Sequence, residues 1–168
     1  MKKNKAADLD KIDIRIIKAL FRDGRMTKLQ LSEEVGLSAT PCWERMKKLE
    51  KKGVIKGYHA ELNLEKMINF SSSYVEIKLT NYSLAKAIEF ERQVREMPEI
   101  VQCEALLGDV DYVLRILSRD VDEYQKSIEY LLANPKLEIE HKTLPISKVV
   151  KDGTHINVEK ITNKFISD

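Results

Sequence analysis

The chain has 168 residues, 43% of them apolar and 33% charged, at a mean hydropathy of −0.37, which fits one average domain or two small ones and excludes a disordered chain and a large enzyme. No apolar run approaches the roughly 20 residues that span a bilayer, and the basic start over residues 1–11 lacks the apolar stretch of a secretion signal, so a cytoplasmic, uncleaved protein with no membrane partner is expected. The net charge of +2 conceals a division: residues 1–60 carry 15 Lys+Arg against 8 Asp+Glu, and residues 61–168 carry 14 against 19. The first third is therefore suited to a polyanion and the remainder is not. Cys42 and Cys103 are too few for a disulfide framework, and with three scattered histidines they show no metal-ligand spacing, so neither metal nor cofactor is expected.

Residues 8–21 place Ile12, Ile16, Ala19 and Leu20 on one helical stripe, with Asp10 and Asp13 as the two members of a helix-starting cap. After Gly24, Thr27 and Gln30 form a capping box for a second, short helix that buries Leu31 and Val35 and ends at Gly36. Ser38 is an N-cap for a third helix, which tolerates Pro41 in its first turn, runs from about Ala39 to Lys52 and stops at Gly53. This is the layout of a helix-turn-helix, whose partner is double-stranded DNA. Cys42, Met46 and Leu49 fall on the core stripe of the third helix. Ala39, Thr40, Trp43, Glu44 and Lys47 are then placed to meet base edges, and Lys28, Arg45, Lys48 and Lys51 to meet phosphates. Any surface helix is charged, but here the basic excess, the caps and the spacing coincide. Trp43 fits a core or dimer-contact position as well as a DNA contact.

Residues 54–62 read as a short strand leading out of the helical domain of residues 1–60, and 61–73, with three consecutive serines, as a hinge. From Tyr74 the chain repeats itself: an alternating strand, a helix, a proline and a second alternating strand occur once over 74–107 and again over 112–144. The two rounds make a ferredoxin-like β-α-β-β-α-β domain over 74–150, so the fold class is α+β, with a tail at 151–168 that offers a last strand and a short helix from His155. One sheet face takes both helices. Leu106, Leu114 and Ile116 are expected on the other, to be covered by a second copy, and Pro145 suits an edge strand. The turn around Gly108-Asp109-Val110-Asp111 is either an ordinary hairpin or a small-molecule site, with carboxylates for an ammonium group, backbone N–H groups for a carboxylate, and Leu106, Leu107 and Ile146 as apolar lining. Those are the demands of a free amino acid.

The segments LDKIDIRIIKALFRDGRMT, LSEEVGLSATPCWERMKKLEKKGVIKGY and LLGDVDYVLRI together resemble the leucine-responsive regulator/asparagine regulator (Lrp/AsnC) family of transcription factors along almost the whole chain. The resemblance implies a DNA-binding helix-turn-helix, a hinge, and a ferredoxin-like domain that dimerises, assembles further to tetramers or octamers, and binds an amino-acid effector between dimers. It carries the recognition helix onto SATPCWERMKKLE, with Ser38 as cap and Arg45 in the family's arginine position. The effector loop is carried onto Gly108, Asp109, Asp111 and Tyr112, and the facing strand onto Thr143, Leu144, Pro145 and Ile146. Trp43 and Pro145 depart from the aliphatic and β-branched residues more usual there. The expected function is a sequence-specific regulator whose DNA binding or assembly responds to an amino acid. The competing reading is an architectural DNA binder without an effector. An enzyme using Asp109, Asp111, His141 or Cys103 is disfavoured, because nothing sets a nucleophile beside a base.

Overall fold

The computed structural model describes residues 7–151, 158, 160 and 161. They divide into two compact units, residues 63–151 forming the second and the other described residues the first, each with its own core. Residues 7–62 of the first hold three helices, α1 (Lys11–Arg22), α2 (Lys28–Val35) and α3 (Ala39–Lys51). Both expected capping boxes form. Asp10 accepts from the N–H groups of Ile12 and Asp13, each at 2.8 Å, and Thr27 and Gln30 cap each other's backbone N–H at 3.2 and 2.8 Å. Gly36 ends α2 at φ +67°, a left-handed conformation that glycine adopts without strain. Ile16, Ala19, Leu31, Val35, Cys42, Met46 and Leu49 form the core of this unit.

Two expectations change here. Ser38 occupies the N-cap position of α3, but its side chain makes no capping hydrogen bond. Residues 54–62 form no strand: the N–H groups of Val54 and Ile55 donate to the Leu49 carbonyl at 3.0 and 3.3 Å, closing the end of α3. A strand also needs a neighbour for its backbone groups, and none of the four strands pairs with this segment.

The second unit opens with a single 3-10 turn (Leu64–Lys66) and continues β1 (Ser71–Leu79), α4 (Leu84–Arg95), β2 (Ile100–Ala105), β3 (Tyr112–Ser118), α5 (Val121–Leu132) and β4 (Ile139–Pro145). The sheet order is β2-β3-β1-β4 with every pair antiparallel, the ferredoxin-like arrangement. Ser71, Ser72 and Ser73, expected in the hinge, belong to β1, and Pro145 lies on the edge strand β4. The core packs Val75, Ile77, Leu114 and Ile116 against Phe90, Val94, Ile128 and Leu131 of the helices. Leu114 and Ile116 thus face the helices and not the open side as expected. The register sets this: Leu114 pairs with Val75, so the alternation sends Val113, Arg115 and Leu117 to the open face, beside Tyr74, Glu76 and Leu144. The strand and helix expected in the tail lie largely outside the described residues.

Candidate nucleic-acid and effector sites

The outer side of α3 is exposed at Ala39, Thr40, Glu44, Lys47, Lys48 and Lys51, with exposed Ser38 at its start. Trp43 is half-buried against the helical core, and the Lys28 and Lys47 ammonium groups lie 3.6 and 4.7 Å from its ring centroid. The indole therefore ties the N-terminal turn of α2 to α3 by cation–π attraction. Lys47 also pairs with Glu50 at 2.8 Å, and the Tyr58 hydroxyl donates to the same carboxylate at 3.1 Å. These contacts, the Lys47 ammonium above all, hold Glu50 below the usual carboxylate range.

Arg45 differs from its expected place among the phosphate contacts. Its guanidinium Nη1 donates to Asp13 Oδ1 at 2.8 Å and to Asp10 Oδ2, clamping the start of α1 to the middle of α3. Asp13 is almost wholly buried, so this cation has a structural task. The feature was legible in principle, because Asp10 and Asp13 share the first turn of a helix that must pack on α3. Cys42 is a core residue whose thiol is pushed up by burial, which makes it a poor nucleophile.

In the sheet unit the turn before β3 is closed by backbone hydrogen bonds from Leu106 to Asp111 at 2.8 Å and from Asp111 to Ile77 at 2.9 Å. Gly108 sits at φ +143°, where a side chain would be strained. The two aspartates separate in role. Asp111 Oδ2 accepts from the Leu79 N–H at 2.7 Å, fixing the turn to β1, whereas Asp109 is exposed. Asp109 borders a shallow cavity of about 160 Å3 with Glu76, Lys78, Glu140, His141 and Lys142. Tyr112 is a core residue: its ring meets Phe90 at a centroid distance of 4.6 Å, and its hydroxyl donates to Glu91 at 3.2 Å. Burial, with that carboxylate, pushes its phenol well above the ordinary range.

The residues at and just past the end of β4 that are expected to face the effector stand away from that turn. Thr143 shares a hydrogen bond with the Tyr124 hydroxyl of α5 on the helix side, Leu144 is half-exposed beside Tyr74 on the open side, and Ile146 donates its N–H to Ser72 at 2.9 Å. Tyr112 and His141 pair with Ile77, whereas Pro145 pairs with Ser73, a shift of about 14 Å along β1 at the usual rise per residue. One subunit therefore does not bring the turn and residues 143–146 together. The charged neighbours of Asp109 were hidden in the sequence because only the register places β1 and β4 residues beside that turn.

Residues 9–56 match the family model described as winged helix-turn-helix DNA-binding, and residues 72–156 match the Lrp/AsnC ligand binding domain. The transcriptional regulatory protein DoeX of Halomonas elongata is 39% identical over 85% of this chain and 90% of its own length. The leucine-responsive regulatory protein of Escherichia coli is 35% identical over 94% of this chain and 96% of its own. A Neisseria meningitidis transcriptional regulator solved as a complex with L-Met superposes at a TM-score of 0.78, with 28% identity over 92% of this chain and 99% of that one. The two matched domains in this order, with relatives aligned along nearly the full length, settle the identity: the chain belongs to the Lrp/AsnC family of effector-responsive, DNA-binding transcriptional regulators.

Proposed function

We propose that the helical unit reads DNA through the outer side of α3, with Ala39, Thr40, Trp43, Glu44 and Lys47 toward base edges and Lys28, Lys48 and Lys51 toward phosphates. The exposure of this basic helix side, on the unit that holds the positive charge of the chain, is the observation that carries the reading. Arg45 supports the surface from beneath. The open sheet face pairs with a second copy: Tyr74, Val113, Leu117 and Leu144 give it an apolar part, and Arg115 and Glu76 a charged part. Such a dimer meets pseudo-palindromic half-sites about one helical turn, roughly 10 bp, apart. An amino acid binds at the Asp109 turn, and residues Thr143–Ile146 of another subunit complete the site as dimers assemble further. The chain works by binding and not by catalysis, in the cytoplasm. No described helix is long and apolar enough to cross a membrane.

Fluorescence anisotropy on a duplex from the protein's own upstream region and on a scrambled duplex, at several salt concentrations and with or without an amino-acid mixture, tests the whole reading. The upstream duplex should bind more tightly, with an affinity that shifts on adding amino acids. Equal affinity for both duplexes, or no response to the mixture, contradicts it. In the same assay Lys48→Ala should make the slope of log K against log salt shallower by about 0.9 for each phosphate contact removed. An unchanged slope takes Lys48 off the interface. Asp109→Asn should abolish the amino-acid shift and leave effector-free DNA binding intact, since its side chain is exposed at the turn. Asp111→Ala, which removes the acceptor, should instead loosen the turn through the lost Leu79 contact, read as faster amide exchange at Leu79.

A further inference from the structure

A second cavity, of about 470 Å3, lies within the helical unit and has no part in the effector site proposed for the sheet. Its walls are apolar, formed by Leu20, Met26, Leu31, Met46 and the indole of Trp43, and its polar groups, Lys28, Lys47, Glu50 and Tyr58, are few. That size and lining are those of a small-molecule site, where an apolar body is buried and a few polar groups fix orientation. The charges are unequal in their engagement. Glu50 is taken up by Lys47 and the Tyr58 hydroxyl. Among the described residues no carboxylate lies within ion-pair distance of Lys28, whose ammonium rests on the Trp43 ring at 3.6 Å. A cation on a π face is held more weakly than one bonded to an anion, so Lys28 is the group at this site with interaction to gain. The flat indole and the two thioethers favour an aromatic ring over a branched aliphatic body.

We propose that this cavity binds a small aromatic carboxylate, with the ring against Trp43, Met26 and Met46 and the carboxylate on Lys28. Lys28, Trp43 and Lys47 also stand on the proposed DNA face, and the second half of the inference rests on that reading. A carboxylate on Lys28 and a DNA phosphate compete for the same ammonium, so the ligand lowers DNA affinity at the reading helix itself, independently of the sheet unit.

Trp43 is the single tryptophan of the chain, so the intrinsic emission of the full-length protein reports directly on this wall. Titration with 3-phenylpropionate, with 3-phenylpropanamide and 2-phenylethylamine as neutral and cationic counterparts at matched ionic strength, decides the site. The carboxylate should give a saturable emission change at a concentration on the order of tenfold lower than the amide, with the amine weaker still. The Lys28→Gln variant, altered at an exposed position and checked for fold by circular dichroism, should lose that preference while still binding the amide. No saturable change, or equal response to all three compounds, overturns the site. Saturating 3-phenylpropionate should then weaken binding to the upstream duplex several-fold, and more so at low salt. Carboxylate binding with unaltered duplex affinity overturns the competition. If the duplex is not bound even without ligand, the DNA face is at fault, and the emission titration still decides the cavity.

Discussion

Phe90→Ala should destabilise the sheet unit by about 4 kcal/mol, the cost of removing a large ring from a packed core and leaving a cavity that its neighbours fill only in part. Phe90 has no exposed surface and projects from α4 into the cluster of Val75, Ile77, Leu114 and Leu131. Its ring also meets Tyr112 at 4.6 Å with the planes tilted by 41°, an arrangement worth about 1 kcal/mol beyond the buried area. Tyr112 opens the strand that follows the Asp109 turn, so the loss reaches the candidate effector site through β3. Urea unfolding followed by far-ultraviolet circular dichroism should show the change as a fall in midpoint on the order of 2 M. Trp43 emission reports separately on the core of the helical unit. Phe90→Leu, which retains most of the volume, should cost far less. If alanine and leucine cost the same, the ring is not the central packing element of this core.

The helical unit was legible because its signals are local. Caps three residues apart, glycines at helix ends and a repeating apolar stripe each act within one turn, and all three helices begin and end within a residue or two of where those signals place them. The repeat from Tyr74 gave the order of the sheet elements for a similar reason: strand alternation and a proline after each helix need no knowledge of tertiary contacts. What failed was whatever depends on pairing. Leu114 and Ile116 alternate as cleanly as Val113, Arg115 and Leu117, and only the partner strand decides which set meets the helices. Residues 54–62 have the composition of a strand but no neighbour to bond. The site residues divide along the same line. Exposure along α3 follows from helical period, whereas the roles of Arg45, Asp111 and Tyr112 follow from carboxylates and N–H groups distant in the chain.

Asp13→Ala should destabilise the helical unit by about 2 kcal/mol, because it removes the buried anion that faces Arg45 and leaves that cation with Asp10 alone. For a unit of this size such a loss lowers the melting temperature by roughly 10 °C, read as the midpoint of Trp43 emission on heating. Much of the cost is that of the charge left behind, so Arg45→Met combined with Asp13→Ala should recover part of it. A double variant as unstable as the sum of the two single ones would mean that the residues act apart. The clamp should also show in acid. The Asp10 carboxyl is held below its ordinary value of 3.8 first by the Asp13 N–H and then by Arg45. A group whose value is depressed by folding stabilises the fold fully above its unfolded value and loses that contribution as pH falls through the folded one. The stability gap between the native chain and Arg45→Gln should therefore be widest above pH 3.8 and narrow below it. A gap that stays constant into acid would place the effect of Arg45 in packing and not in its pairing with Asp10. In the native protein the same pair keeps α3 seated on α1, so acid that releases Asp10 should loosen the helix that presents Lys47, Lys48 and Lys51 to DNA.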